Sequence, residues 1–101
     1  MPTTTSKVLF RGAASTSSTT LYTTPSATTT VVTNILVANT ASTAATFDLS
    51  LDGVQIFNDA AIAANTTATF DIKQVLVATD LIEGSASATT VNFHISGAEI
   101  A

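Results

Sequence analysis

The apolar side chains of this chain recur every second residue, not every three or four. Phe47, Leu49 and Leu51 alternate with Thr46, Asp48, Ser50 and Asp52. Ala68, Phe70 and Ile72 alternate with Thr69, Asp71 and Lys73, and Val91, Phe93 and Ile95 with Asn92, His94 and Ser96. Successive side chains of a strand point to opposite faces, so this period marks strands with one wet and one buried face. A helix would need an apolar stripe at a period of 3.6, and none is found. Alanine favours helices, but here it sits mostly beside Thr, Ser and Asn, which weaken them.

Strands are expected near residues 7–14, 19–23, 29–39, 45–51, 54–58, 66–73, 80–87 and 91–100. The links between them are short and rich in turn residues, such as Ser15-Thr16-Ser17-Ser18 and Asn39-Thr40-Ala41-Ser42. A parallel α/β fold needs helical crossovers, for which these links are too short. The expected fold is all-β: a single antiparallel β-sandwich, jelly-roll or Ig-like, of about eight short strands. Asp52-Gly53 is the clearest turn, because a two-residue type I′ turn needs positive φ at both central positions. A regular hairpin there pairs Leu51 with Val54, Leu49 with Ile56 and Phe47 with Asn58. It puts Val54 and Ile56 on the buried face and Phe57 on the wet one. The run Val31–Ala38 is apolar on both faces apart from Thr33 and Asn34, as befits a central or covered strand. Val75-Leu76-Val77 repeats that pattern briefly. Residues 1–6 read as a flexible Thr-rich leader, and 7–101 as the sandwich domain.

Composition narrows the chemistry. Ala, Ser and Thr supply 48 of 101 residues, there is no Cys or Trp, and His94 is the single histidine. Thiolate metal sites, disulfides and Cys nucleophiles are therefore excluded. Three cationic residues face seven acidic ones, for a net charge of −4. Phosphate neutralisation requires clustered Lys and Arg, so neither nucleic acid nor an anionic membrane is an expected partner. No apolar run approaches the roughly 18 residues that span a bilayer. The opening segment lacks the apolar core of a secretory signal, so folding in the cytoplasm is the expectation.

No catalytic pair can be nominated. His94 lies on the polar phase of its strand without a companion nucleophile or ligand. The Gly-x-Ser-x-Gly and phosphate-loop patterns are absent. Asp48, Ser50 and Asp52 share one strand face about 7 Å apart per pair, too wide for a calcium site without a loop. No metal, no cofactor and no enzymatic activity are expected. Phe47, Phe70 and Phe93 fall on the apolar phase and read as core. Tyr22 reads as a core tyrosine with its hydroxyl at the rim.

Several stretches resemble small β-sandwich structural proteins of tailed-phage virions. Leu21-Tyr22-Thr23-Thr24-Pro25 is similar to their approach to a turn, and Val31–Thr40 to a long strand ending in Asn-Thr. Ala44–Leu49 followed by Asp52-Gly53 resembles their next hairpin. Ile62-Ala63-Ala64-Asn65-Thr66-Thr67 resembles a following turn, and Ile95–Ile100 the ending. The likeness runs from Leu21 onward and departs at Pro25-Ser26-Ala27-Thr28, where glycine usually follows the proline. It implies a part of a virion assembled in the host cytoplasm: a capsid decoration or cement protein, a head fibre or a tail component. It carries over no functional residue.

The Thr- and Ser-rich strands lack the Lys and Glu that usually block edge pairing. A symmetric oligomer, or a subunit covered by neighbours, fits such edges. The expected partners are the major capsid protein or other virion proteins. The expected docking arm is the segment from Pro2 to Lys7 with Arg11 nearby, in particular Thr3, Thr4, Thr5, Lys7 and Arg11, set against an acidic shell surface. The alternatives are a tail or fibre module that binds host glycans through exposed aromatics, and a tail-tube or connector subunit.

Overall fold

The computed structural model describes residues 3–101. These form nine strands and no helix: β1 (Thr4–Ala13), β2 (Thr19–Thr23), β3 (Thr29–Asn39), β4 (Ala45–Leu51), β5 (Val54–Ile62), β6 (Thr66–Phe70), β7 (Gln74–Leu76), β8 (Leu81–Ala86) and β9 (Val91–Ile100). One sheet has the order β1-β9-β3-β6, with β7 also paired to β3, and the other has the order β2-β8-β4-β5. Every pairing is antiparallel.

The order has a simple origin. The chain turns back on itself at Asp52-Gly53, and each strand before the turn pairs with its counterpart after it. Thus β4 takes β5, β3 takes β6 and β7, β2 takes β8, and β1 takes β9. Wrapped as a ribbon, these pairs fall alternately into two sheets, which is the jelly-roll arrangement. The Asp52 and Gly53 φ angles of 51° and 78° are those of a type I′ turn.

The hairpin register departs from the regular one. Leu51 does pair with Val54, but Leu49 pairs with Phe57 and Phe47 with Ala60. Two extra residues are accommodated in β5. One shift turns Phe57 inward, where its ring lies 5.2 Å from Phe47 and 4.6 Å from Phe70. Val54 and Ile56 are left exposed. The larger aromatic surface gains more by burial than Ile56 would, and tilted ring pairs at these spacings add to it. The carboxylate of Asp48 secures the second irregularity by accepting the Asp59 N–H at 2.8 Å, where Asp59 has a φ of 48°.

The remaining corrections are at the edges. The strand expected at 66–73 stops at Phe70, and Gln74–Leu76 resumes pairing on the same side of β3. Val75 and Val77, expected to be covered, are 63% and 57% exposed: among the described residues Val75 lies in β7, which pairs with β3 alone, and Val77 lies in the loop just beyond it. The segment read as a leader contributes Thr4, Thr5 and Ser6 to β1, opposite Ile100, Glu99 and Ala98. Residues 1 and 2 lie outside the described residues.

Between the sheets, Val32, Ile35, Val37, Phe93 and Ile95 meet Phe47, Leu49 and Ile82, all essentially inaccessible. Two polar side chains fasten the ends. Asn39 is buried; its Nδ2 donates to Thr43 O at 2.9 Å and to Ile62 O and Ala63 O, and its Oδ1 accepts from Ala41 N at 3.1 Å. It thereby ties two loops to the end of β3.

Candidate interaction surfaces

At the opposite end, Tyr22 crosses between the sheets. Its hydroxyl donates to the Glu99 carboxylate and meets Thr30 Oγ1 at 2.9 Å. With its one proton committed to Glu99, the phenol oxygen accepts the Thr30 hydroxyl proton. Glu99 also holds Lys7 at 3.2 Å. Burial first, and then the Glu99 carboxylate, push the Tyr22 phenol above its ordinary value. The bond from Tyr22 is the main influence holding Glu99 below the usual carboxylate range, with Lys7 adding to it against partial burial. The Tyr22 hydroxyl is at the rim as expected; its link to Glu99 and Lys7, far apart in sequence, was not foreseen.

The five residues expected to form one docking arm are not brought together as an arm. Thr3 exchanges backbone hydrogen bonds with Ala101 at 2.6 and 3.0 Å. Thr4, Thr5, Lys7 and Arg11 are spaced along the paired strand β1, and all five are exposed. Lys7 is engaged by Glu99. Arg11 stands about 23 Å along the strand from Thr4, at roughly 3.3 Å per residue.

Thr3 and Thr4 belong to the end of the sandwich that also carries the 52–53 turn, the 24–28 turn and the 77–80 loop. Backbone bonds join these segments: Asp52 N to Leu81 O at 2.8 Å, Thr24 N to Asp80 O at 2.9 Å and Thr79 N to Thr24 O at 3.0 Å. Val54, 69% exposed, and the exposed Val75 and Val77 lie at the same end. That end is therefore uncharged at its threonines and apolar at its valines, with Asp52 and Asp80 between. Asp80 is engaged, accepting the Val77 N–H at 3.0 Å.

The two broad faces differ in charge. On the outer face of the β1-β9-β3 sheet, Arg11, His94 and Leu36 form one cross-strand row, and Ser6, Ala98, Val31 and Val75 another. Among the described residues, its strands place no carboxylate on that face. The opposite sheet presents Asp48, Asp59 and Glu83 around an open groove of about 310 Å³, with Ser50, Gln55, Asn58 and Ser85 also on its walls. No group of His, Asp and Glu there, or elsewhere among the described residues, is arranged to hold a metal ion. The cluster of exposed aromatics expected of a glycan-binding module does not form: the one tyrosine and all five phenylalanines are buried or half-buried.

No protein-family model and no curated protein matches the chain. Solved structures do share its fold. A structure of the infectious bursal disease virus Gx strain aligns with a TM-score of 0.62 at 12% identity, over 98% of this chain and 32% of that one. The infectious bursal disease virus T13 particle aligns at 0.57, with 11% identity over 98% of this chain and 30% of that one. The VP2 subviral particle of the same virus aligns at 0.55, with 13% identity over 98% and 32%. The chain is all-β and shares the sandwich of these viral particle proteins; it spans about a third of their length.

Proposed function

We propose that this chain is a non-enzymatic structural protein of a virion, and more specifically a decoration or cement protein that binds the outer surface of a phage head and reinforces it. The observation that carries this reading is the agreement of nearly the whole chain with the sandwich of icosahedral virus particle proteins. A fold alone does not choose a function. The reading is supported further by the motifs that resemble small tailed-phage virion proteins, and by a surface poor in charge.

The contact with the shell is assigned to the end that carries Thr3, Thr4, Thr5, Val54, Val75 and Val77. Docking there would bury apolar surface worth about 25 cal/mol per Å² and would cover the free edges of β1 and β7. Each copy adds a modest amount, and an icosahedral shell multiplies it. Lys7 contributes by holding Glu99, and so by keeping the end of β1 in place, not by reaching for the shell.

Cryo-electron microscopy of the particle that carries the chain tests the reading. A 49 Å-long sandwich standing on the outside of the head is the expected density. Density in the tail tube or at the fibre tips would replace it with the connector or glycan-binding alternatives. Heating shells with and without the protein provides the second measurement, with bound shells expected to open at higher temperature.

A further inference from the structure

The charge on the two broad faces is complementary, and we infer that copies of this chain associate head-to-tail, the outer face of the β1-β9-β3 sheet of one copy seating on the acidic groove of the next. This contact goes beyond shell binding and does not depend on it. On the first face, Arg11 and His94 stand side by side on neighbouring strands, and the strands of that sheet place no carboxylate on the face; its one nearby acid, Asp71, lies in the segment that links β6 to β7 beside Lys73. On the second, Asp48, Asp59 and Glu83 surround the groove with no cation among its lining residues. The other two cations are placed elsewhere: Lys7 is paired with Glu99, and Lys73 lies in the segment between β6 and β7.

A contact between unlike faces is heterologous, so it builds rings or open stacks and not two-fold dimers. The opposite arrangement, with two copies meeting through the same face, would set Arg11 against Arg11 or carboxylates against carboxylates. The area suffices. With extents of 49 × 21 × 18 Å, a broad face presents about 900 Å² in projection, against the roughly 800 Å² that each partner gives to a standard interface. The apolar rows beside Arg11, from Leu36 to Val31 and Val8, supply surface that gains by leaving water.

Sedimentation velocity on the purified chain tests the contact. Association is expected to grow with concentration and to weaken in 1 M NaCl, where exposed charges are screened within about 3 Å. Arg11→Glu alone and Glu83→Arg alone should each weaken it more than tenfold, since like charges then face each other. An equimolar mixture of the two variants should associate again, because each variant's altered face complements the other's. That rescue also shows that both variants are folded. A chain that stays monomeric up to millimolar concentration overturns the proposal. So does association indifferent to salt, or two weakened variants that the mixture does not restore. Association that Arg11→Glu weakens and Glu83→Arg leaves intact would equally overturn it, and would indicate contact through the first face alone.

Discussion

Gly97 is the position at which one added carbon should do most harm. It sits in β9, paired with Lys7 on one side and Val32 on the other, beside the irregularity that follows Val32. A Cβ built there would stand 2.1 Å from the carbonyl oxygen of Val31. Ordinary carbon–oxygen contacts between strands are about 3.3–3.6 Å, so one backbone must retreat by more than ~1 Å. Neither can do so freely, because β3 and β9 are central strands packed on the core. Opening the ladder locally forfeits about two hydrogen bonds and leaves their groups buried, a cost of roughly 3–5 kcal/mol. Domains of this size are stable by about 5–15 kcal/mol, and each kcal/mol shifts Tm by about 4–8 °C. Gly97→Ala is therefore expected to lower Tm by about 15–30 °C. The other glycines calibrate the result. At Gly84 the nearest obstacle is a Leu49 methyl at 2.7 Å, which can move, so about 1–3 kcal/mol is expected. Gly53 has open space but a φ of +78°, which costs an alanine about 1 kcal/mol. Gly12 meets only the Phe10 ring at 3.5 Å, and its replacement should be nearly neutral. Urea unfolding followed by far-ultraviolet circular dichroism, with calorimetry for Tm, gives all four values. A Gly97→Ala protein within 1 kcal/mol of the parent, or more stable than Gly84→Ala, would refute the reasoning.

Four further outcomes follow from the same geometry. Phe57→Ala should cost about 3–4 kcal/mol and Ile56→Ala under about 1 kcal/mol in urea unfolding, the reverse of what a regular hairpin implies. Asn39→Ala should cost about 2–4 kcal/mol, since it leaves carbonyls of two loops without their donor. Glu99 has a lowered value in the folded chain, so its contribution is present above the unfolded value of about 4.5 and is lost as pH falls through the folded one. Glu99→Gln should flatten the acid side of the stability–pH profile. The Tyr22 phenol, raised above 10.0, costs stability as pH climbs past that value, and Tyr22→Phe should remove that alkaline slope while costing about 1–2 kcal/mol at neutral pH.

Several residues singled out in the sequence hold the fold together. Tyr22 clamps the sheets, Asn39 fastens two loops, Asp52-Gly53 is the central turn, and Asn65 takes a φ of 51° after β5.

Strands, their inward phase and the central turn were legible in the sequence, because side-chain period and turn chemistry are local properties. Three things were not. The inward turn of Phe57 depends on irregularities in β5, and those form because Phe47 and Phe70 wait across the core. The exposure of Val75 depends on β7 being paired on one side only, with its outward face uncovered, which is a matter of strand order. Lys7, Arg11 and the threonines looked like one arm because they are close in sequence. Only the pairing of β1 with β9 separates them, giving Lys7 to Glu99 and setting Arg11 beside His94. A pattern of period two says which side chains share a face; it takes the wrapped ribbon to say what that face meets.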